Sequence, residues 1–403
     1  MQTSLAEFMN VNVKDYFSSF HPPKPRPYQL EALREILRRK KGIIVMPTGT
    51  GKTYVAMWAM KLLKLPTAII VPTEPLLWQW HDKLEEYGLR SIGVFYGKEK
   101  NIRPVTIFIY NSASKHLRKL LGFKMVIFDE IHHLGANTFI KLLLTVKTAD
   151  YVIGLTATPE RIDGRHLMIQ KYIPVIYKLP LGVARREGWI SPVEIIKVPA
   201  SLSPFERMKY DDYEETLRKA YYTFGTLNPA KLLKIYEKEK IPLALAAVKA
   251  LALRKMLLAK AVRKFEKLLT IVKMHSNERI LVFSESIESI ELARKYLRRH
   301  GVKCMVYHSE QPKSLREKIL TLWGRAFNVL LSVKCLEEGI DVPEVAVGVV
   351  IASGTTKRQY IQRLGRIVRP LPGKVARIYI IYAPGTYETK HAENLYKLLL
   401  RNL

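Results

Sequence analysis

The chain has 403 residues, 48% hydrophobic and 25% charged, so it is a folded globular protein of two or three domains and not a disordered chain. Lys and Arg number 66 against 36 Asp and Glu, and the formal net charge of +30 favours a polyanionic partner, above all nucleic acid. The sequence has two cysteines, no signal-peptide pattern and no apolar run near the ~18 residues that span a bilayer, which excludes a disulfide scaffold and a membrane protein and predicts a cytoplasmic location.

The first half of the chain has the pattern of a parallel α/β domain. Short apolar runs alternate with helical spacing from about residue 28 to residue 190. Because these runs lack polar alternation, they are typical of strands that are buried on both faces. The pattern predicts a doubly wound sheet with strands at residues 42–46, 67–71, 106–110, 125–129 and 151–155.

The pattern changes near residue 200. Residues 205–273 show helical spacing with basic faces and no convincing strand, which predicts an all-helical insertion. Apolar runs then return at residues 279–284, 303–309, 327–333, 345–352 and 376–382, which predicts a second parallel sheet. The expected domains are therefore residues 1–190, residues 191–275 with a connector strand and the helices, and residues 276–403.

A glycine-rich stretch, MPTGTGKT at residues 46–53, lies between the first predicted strand and a helix. Glycines let backbone N–H groups close around a phosphate, and the helix N-terminus adds its dipole. In such a loop Lys52 reaches the β- and γ-phosphates and the Thr53 hydroxyl ligates magnesium. Met46 stands where the strict pattern has glycine, but the position between strand and helix still predicts a phosphate loop.

A second cluster of polar residues lies in MVIFDEIHHLG, residues 125–135. Asp129 at a strand end would hold Mg²⁺, and Glu130 would orient or deprotonate the attacking water. The alternative is a transition-metal site formed by the two acids with His132 and His133. The chain contains no HExxH and no CxxC that would complete such a site, so the sequence favours a nucleotide site.

Four motifs in this order, MPTGTGKT, DEIH, GLTATP at residues 154–159 and QRLGRIVRP at residues 362–370, resemble those of superfamily 2 helicases. RPYQ at residues 26–29, TATPERIDGR at residues 156–165 and the helical insertion resemble the XPB branch, whose members act in DNA repair and transcription. The resemblance implies an α/β fold of two RecA-like parallel-sheet domains with an all-helical, thumb-like insertion. It also implies an ATP-dependent DNA helicase or translocase that uses ATP and Mg²⁺.

The resemblance assigns roles to individual residues around the nucleotide. Gln29 would recognise adenine, and the other expected ATP-binding residues are Thr48, Gly49, Thr50, Gly51, Lys52, Thr53, Gly339 and Asp341. The residues expected to act in catalysis are Lys52, Asp129, Glu130, Gln362, Arg366 and Arg369. Those expected to couple the nucleotide to nucleic acid are His132, Thr156 and Thr158. An arginine supplied by a second domain can stabilise the transition state only when the cleft is shut. A solvated basic stripe is the alternative for the arginines of QRLGRIVRP.

Nucleic-acid contacts follow from the same resemblance. The expected contact residues are Thr73, Ser112, Arg161, Ser284 and Ser332. Trp78 and Trp80 either stack on bases or pack into the core, and core packing is the commoner role for such helix residues. Residues 201–273 contain 16 Lys and Arg and eight acids. They either grip a duplex backbone or form an ordinary solvated face.

We therefore expect a DNA motor driven by ATP. One alternative is a remodeller or loading factor that uses ATP as a switch and delivers a nuclease partner. Another is the motor subunit of a restriction system, with its nuclease on a separate chain. The abundance of Lys, Arg and Ile and the scarcity of Gln favour a prokaryotic, thermophilic source.

Overall fold

A computed structural model of the chain describes residues 13–47, 49–157, 164–189, 192–284, 286–333, 345–351 and 375–402. Contacts divide the chain into two compact units, and among the described residues the division falls between residues 189 and 192. The described residues of the predicted insertion at residues 191–275 and of the predicted domain at residues 276–403 all fall in the second unit. A separate middle domain therefore stays a prediction.

Among the described residues, the first unit contains an eight-stranded sheet in the order β4-β3-β5-β2-β6-β7-β1-β8. Its strands are β1 Lys41–Val45, β2 Thr67–Val71, β3 Gly93–Tyr96, β4 Glu99–Asn101, β5 Val105–Ile109, β6 Met125–Asp129, β7 Tyr151–Thr156 and β8 Val175–Lys178. Every pair is parallel except β3 with β4. The five predicted strands are all present, whereas the strands at the two ends of the sheet, β3, β4 and β8, were not predicted.

Helices cover both faces of this sheet. They are α1 Val13–Tyr16, α2 Pro27–Arg39, α3 Lys52–Leu63, α4 Glu74–Glu86, α5 Tyr110–Lys115, α6 Thr145–Thr148, α7 His166–Tyr172 and α8 Leu181–Arg186. Alternate side chains of β1 enter different hydrophobic cores. Ile44 packs on the face of the sheet that α2 and α3 cover, and Ile43 and Val45 pack on the face that α7 covers. Burial on both faces explains why the strands are continuous apolar runs.

The second unit contains a six-stranded parallel sheet in the order β11-β12-β10-β13-β14-β9, counted over the residues with described structure. Its strands are β9 Val193–Pro199, β10 Ile280–Ser284, β11 Cys304–Tyr307, β12 Val329–Val333, β13 Val347–Val350 and β14 Ala376–Tyr382. The predicted connector strand, β9, pairs with β14 over seven residues. It is thus an edge strand of the second sheet, and the prediction of two parallel-sheet α/β domains is confirmed.

Four helices fill the segment between β9 and β10, as the sequence predicts. They are α9 Pro204–Phe224, α10 Pro229–Glu239, α11 Pro242–Lys260 and α12 Val262–Met274, and α13 Ile287–Arg299, α14 Lys313–Leu322 and α15 Tyr387–Asn402 follow. The Ser203 hydroxyl caps α9 by accepting from the Glu206 backbone N–H at 3.3 Å. Small side chains at Ala244 and Ala247 of α11 are fully buried, so neighbouring helices can pack closely against it. Within the described chain, no helix is both long and apolar enough to cross a membrane.

A buried ion pair attaches these helices to the second sheet. The Lys264 ammonium on α12 donates to both carboxylate oxygens of Glu388 on α15 at 2.7 Å, and the two side chains are 0% and 2% exposed. Glu388 also accepts a hydrogen bond from the Ala383 backbone N–H at 2.9 Å. On α9, Arg207 donates to the Pro384 carbonyl at 2.9 Å, and the Tyr210 hydroxyl accepts from a backbone N–H of the same turn. Together these contacts fix the helices on the turn after β14.

Removing one partner of this pair should destabilise the second unit more than removing both charges. We expect Lys264→Met and Glu388→Gln each to lower the free energy of unfolding by about 3–5 kcal/mol, because each leaves one buried charge without its counterion. In the double variant the retained amide of Gln can still accept from the backbone, so we expect it to be more stable than either single variant. Urea denaturation followed by circular dichroism measures this, and losses that add up in the double variant would contradict the role of the ion pair.

Candidate active site

Three neighbouring strands, β6, β7 and β1, end in one row at the carboxyl edge of the first sheet. In the register, Asp129 lies opposite Leu155, and Thr156 lies opposite Val45. The Met46 backbone N–H donates to the Thr156 carbonyl at 3.1 Å, which extends the ladder into the glycine-rich loop. The phosphate loop, Thr156 and the acid pair therefore share one edge, where α/β sheets bind their ligands.

The loop has the backbone of a phosphate cradle. Gly49 and Gly51 have φ values of 84° and 79°, in the region that favours glycine. A Cβ on Gly51 would lie 2.6 Å from Gln29 Nε2 and 2.9 Å from Tyr54 Cδ2. Helix α3 begins directly afterwards at Lys52, so its N-terminus and dipole lie at the end of the loop. Met46, the departure from the glycine pattern, is fully buried in the core of the unit.

Two residues of RPYQ brace this loop. The Tyr28 hydroxyl and Gln29 Nε2 both donate to the Thr50 carbonyl, at 2.8 Å and 2.9 Å. Gln29 Oε1 accepts from the Arg26 backbone N–H at 2.8 Å, so both ends of the amide are bonded. Sequence reasoning did not find Tyr28, although its place beside Gln29 in the motif was a usable signal. The adenine contact of Gln29 stays a prediction.

Lys52 lies between the loop and the acid pair. Its ammonium donates to the Met46 carbonyl at 3.1 Å. Burial lowers the pKa of Lys52, while the negative charges of Glu130 and Asp129 oppose that shift. Thr53, half-buried, follows in the first turn of α3. Lysine, hydroxyl and carboxylates are therefore gathered at one strand edge, which is the donor set that a nucleotide and a hard cation require.

Trp80 fixes the Asp129 side chain. Its indole Nε1 donates to Asp129 Oδ2 at 2.8 Å, and the Glu130 backbone N–H donates to Oδ1 at 3.0 Å. The Tyr110 hydroxyl donates to the Asp129 carbonyl at 3.1 Å. Burial and the neighbouring charge of Glu130 raise the pKa of Asp129 to about 6, against the opposing effect of Trp80 and Lys52. Each carboxylate oxygen keeps a lone pair, so the side chain can still ligate Mg²⁺.

The position of Trp80 decides between base stacking and core packing. The side chain is 1% exposed and belongs to the core, so it does not stack on bases. Trp78 is half-buried and meets the rings of His81 and Tyr96 edge-on, with centroids 5.5 Å and 6.2 Å apart. Sequence reasoning therefore identified the packing of Trp80 but missed its hydrogen bond to the acid.

Glu130 has an unusual backbone and a strongly acidic side chain. Its φ of 48° lies in the left-handed region, which costs an ordinary residue about 1–2 kcal/mol. Burial would raise the pKa of Glu130, but the His132 imidazole 3.2 Å away and the charge of Lys52 outweigh it and lower the pKa to about 2. The carboxylate is therefore held ionised. Backbone strain of this kind clusters at functional sites.

Two of the three predicted coupling residues, His132 and Thr156, meet at the same carboxylate. His132 Nδ1 lies 3.4 Å from the Thr156 hydroxyl, and this hydroxyl lies 3.5 Å from Glu130 Oε2. His132 and Thr156 are both buried. The ring centroids of His132 and His133 are 4.5 Å apart. Over the described part of the chain, no cluster of three or more His, Cys, Asp or Glu side chains is arranged to hold a metal ion.

The described members of the expected nucleic-acid residues lie in or beside four different elements, two in each unit. Thr73 precedes α4, and Ser112 is half-buried in α5. In the second unit, Ser284 ends β10 and Ser332 lies in β12, and their buried hydroxyls have no hydrogen-bond partner among the described residues. Their contacts with nucleic acid stay predictions. Eight of the predicted site residues lie outside the described residues: Thr48, Thr158, Arg161, Gly339, Asp341, Gln362, Arg366 and Arg369.

Two protein families match successive parts of the chain. Residues 22–161 match the family described as "Type III restriction enzyme, res subunit". Residues 263–370 match the "Helicase conserved C-terminal domain". The first match covers the phosphate loop and the acid pair, and the second covers most of the second sheet.

Whole-chain relatives extend this result. The "DNA 3'-5' translocase XPB2" of Sulfurisphaera tokodaii is 32% identical over 88% of this chain and 81% of its own. The "DNA 3'-5' helicase XPB" of Mycobacterium tuberculosis is 28% identical over 93% of this chain, which spans 63% of that relative. The crystal structure of the Pyrococcus furiosus Hef helicase domain matches with a TM-score of 0.62 and 21% identity, over 92% of this chain and 98% of that one, and supports the fold. The motifs, the two parallel sheets and the similarity over most of its length show that the chain belongs to the XPB family of superfamily 2 helicases.

Proposed function

We propose that the protein is an ATP-driven DNA translocase that hydrolyses ATP at the carboxyl edge of the first sheet. The observation that carries the proposal is the meeting of Lys52, Asp129 and Glu130 at adjacent strand ends, with Thr156 between them. The names of the relatives, a translocase and a helicase acting on DNA in the 3'-5' direction, support DNA as the substrate and the same polarity here.

The residues suggest how hydrolysis proceeds. Loop N–H groups and Lys52 would bind the phosphates, and Lys52 would exchange its carbonyl contacts for phosphate oxygens. Glu130 would orient the attacking water by accepting its hydrogen bond, because a carboxylate whose pKa is about 2 is a weak base at neutral pH. His132 would hold that carboxylate in place. A magnesium ion, for which Thr53 and Asp129 are suitable ligands, would neutralise charge on the phosphates.

Coupling to DNA would involve both units. We infer from the family motif that Gln362, Arg366 and Arg369 complete the site on closure, since an arginine that arrives with a second domain makes hydrolysis depend on that movement. The helices α9 to α12 would grip the DNA backbone without reading sequence. Their excess of eight basic over acidic residues, from Ser201 to Lys273, supports this grip. A nuclease partner remains a further proposal.

Steady-state ATP hydrolysis with and without single-stranded, forked and RNA substrates tests this function. We expect DNA to stimulate turnover, and Glu130→Gln to lower it about 100-fold or more, because the water then lacks its anionic acceptor. ATP binding by the variant, followed with a fluorescent analogue, should stay close to that of the unchanged protein. Turnover that DNA does not stimulate would contradict a motor and favour the ATP switch.

Trp80→Phe should impair the acid pair while preserving the packing. The variant keeps an aromatic ring in the core but removes the donor to Asp129, so we expect turnover or the apparent magnesium affinity to fall about 10- to 100-fold. Titrating ATPase activity against Mg²⁺ measures both quantities. Trp78→Phe on the same helix is the matched control, and an equal effect of both substitutions would show that Trp80 acts only through packing.

A further inference from the structure

The second unit carries a basic groove that the ATP site does not use. Two adjoining hollows of about 450 Å³ and 320 Å³ lie beside each other on its surface. Both are lined by the same five residues, Gly301, Val302, Lys303, Ala326 and Phe327. We call this continuous hollow the amino-edge groove.

The groove lies at the amino ends of the strands. Its walls are the last turn of α12, the turn before β11 and the turn before β12. Ile280, Cys304 and Val329, the first residues of β10, β11 and β12, also line it. The serines expected to contact nucleic acid lie in the carboxyl-terminal halves of β10 and β12. The amino-edge groove therefore lies at the opposite edge of the sheet from those serines, and it shares the last turn of α12 with the basic helices proposed to grip DNA.

Positive charge surrounds the groove. Lys273, Arg298, Lys303 and Arg325 are exposed, and none of the described residues that line the groove is acidic. The Arg298 guanidinium donates to the Cys304 carbonyl at 3.2 Å, which holds it against the wall. Glu278, which follows α12, does not line the groove, and its Oε1 lies 2.9 Å from His275 Nδ1. Acidic groups of a ligand would thus meet four cations without a competing carboxylate in the lining.

The floor of the groove is apolar. Phe327 is 8% exposed, and Val272, Val302 and Ala326 lie beside it. A nucleic-acid backbone is bound mainly by donors aimed at phosphate oxygens, and an apolar floor offers none. A peptide with both an acidic and an apolar side chain satisfies rim and floor together. With its net charge of +30, a second copy of this chain is a poor occupant.

From this combination we infer that the amino-edge groove binds an acidic segment of a partner protein, with an apolar side chain of that segment seated on Phe327. The rim would steer and orient the segment, and the floor would select for the apolar residue. This inference does not depend on the proposed function.

Fluorescence anisotropy of the full chain with a short labelled peptide of Asp and Glu with a central Leu tests the inference. Lys303→Glu with Arg325→Glu should weaken binding about tenfold or more, since both cations would be replaced by repelling charges. The exposed pair Lys295→Glu with Lys390→Glu changes the net charge equally outside the groove and should leave binding near its original strength. Replacing the central Leu of the peptide by Ser should also weaken binding.

Three results would overturn the inference. Equal weakening by both double variants would mean that only bulk charge is sensed, and equal binding of the Ser peptide would remove the role of the floor. A short single-stranded DNA that displaces the peptide and loses binding in Lys303→Glu with Arg325→Glu would make the groove a nucleic-acid site. Hydrogen exchange provides a separate readout, because the bound peptide should protect residues 301–305 and 325–329.

Discussion

The parallel register of β6, β7 and β1 is the constraint on which the rest of the site depends. It sets Asp129 opposite Leu155 and Thr156 opposite Val45, so three strand ends deliver their polar residues to one edge. A slip of one residue in any of these strands would turn its side chains to the other face. The two hydrophobic cores on either side of the sheet oppose such a slip because they require the alternating side chains in place.

Within that row, two consecutive carboxyl groups experience opposite environments. Burial and its neighbour raise the pKa of Asp129, whereas His132 and Lys52 lower that of Glu130. Different surroundings thus fit two similar groups for different roles. Glu130 also has a left-handed backbone, with a φ of 48°, directly after β6.

Much of this structure could be predicted from the sequence. Strands that are buried on both faces produce continuous apolar runs, and the loop and acid pair follow from the order of strand, glycine and helix. The edge strands β4 and β8 were missed because they are short and partly exposed and lack that run, and β3 was missed because it is buried but only four residues long. Trp80 lies 49 residues before Asp129, and only the pairing of β2 with β6 brings its helix to the acid.

The second unit also contains contacts between residues far apart in the sequence that could not be predicted. Its helical segment follows from spacing, but the ion pair of Lys264 with Glu388 joins residues 124 positions apart and has no local pattern. The amino-edge groove is likewise assembled from three separate turns. Contacts of this kind depend on which elements pack together, and a single sequence does not contain that information.

The most direct measurement is the ratio of DNA-stimulated to basal ATP hydrolysis in Thr156→Val, because this residue lies between the loop and the acid pair. Valine keeps the shape of the side chain but removes the hydroxyl that lies near Glu130 and His132. If Thr156 connects hydrolysis to DNA binding, the ratio should fall about tenfold, because one hydrogen bond is lost in the transition state. A ratio equal to that of the unchanged protein would contradict this connection.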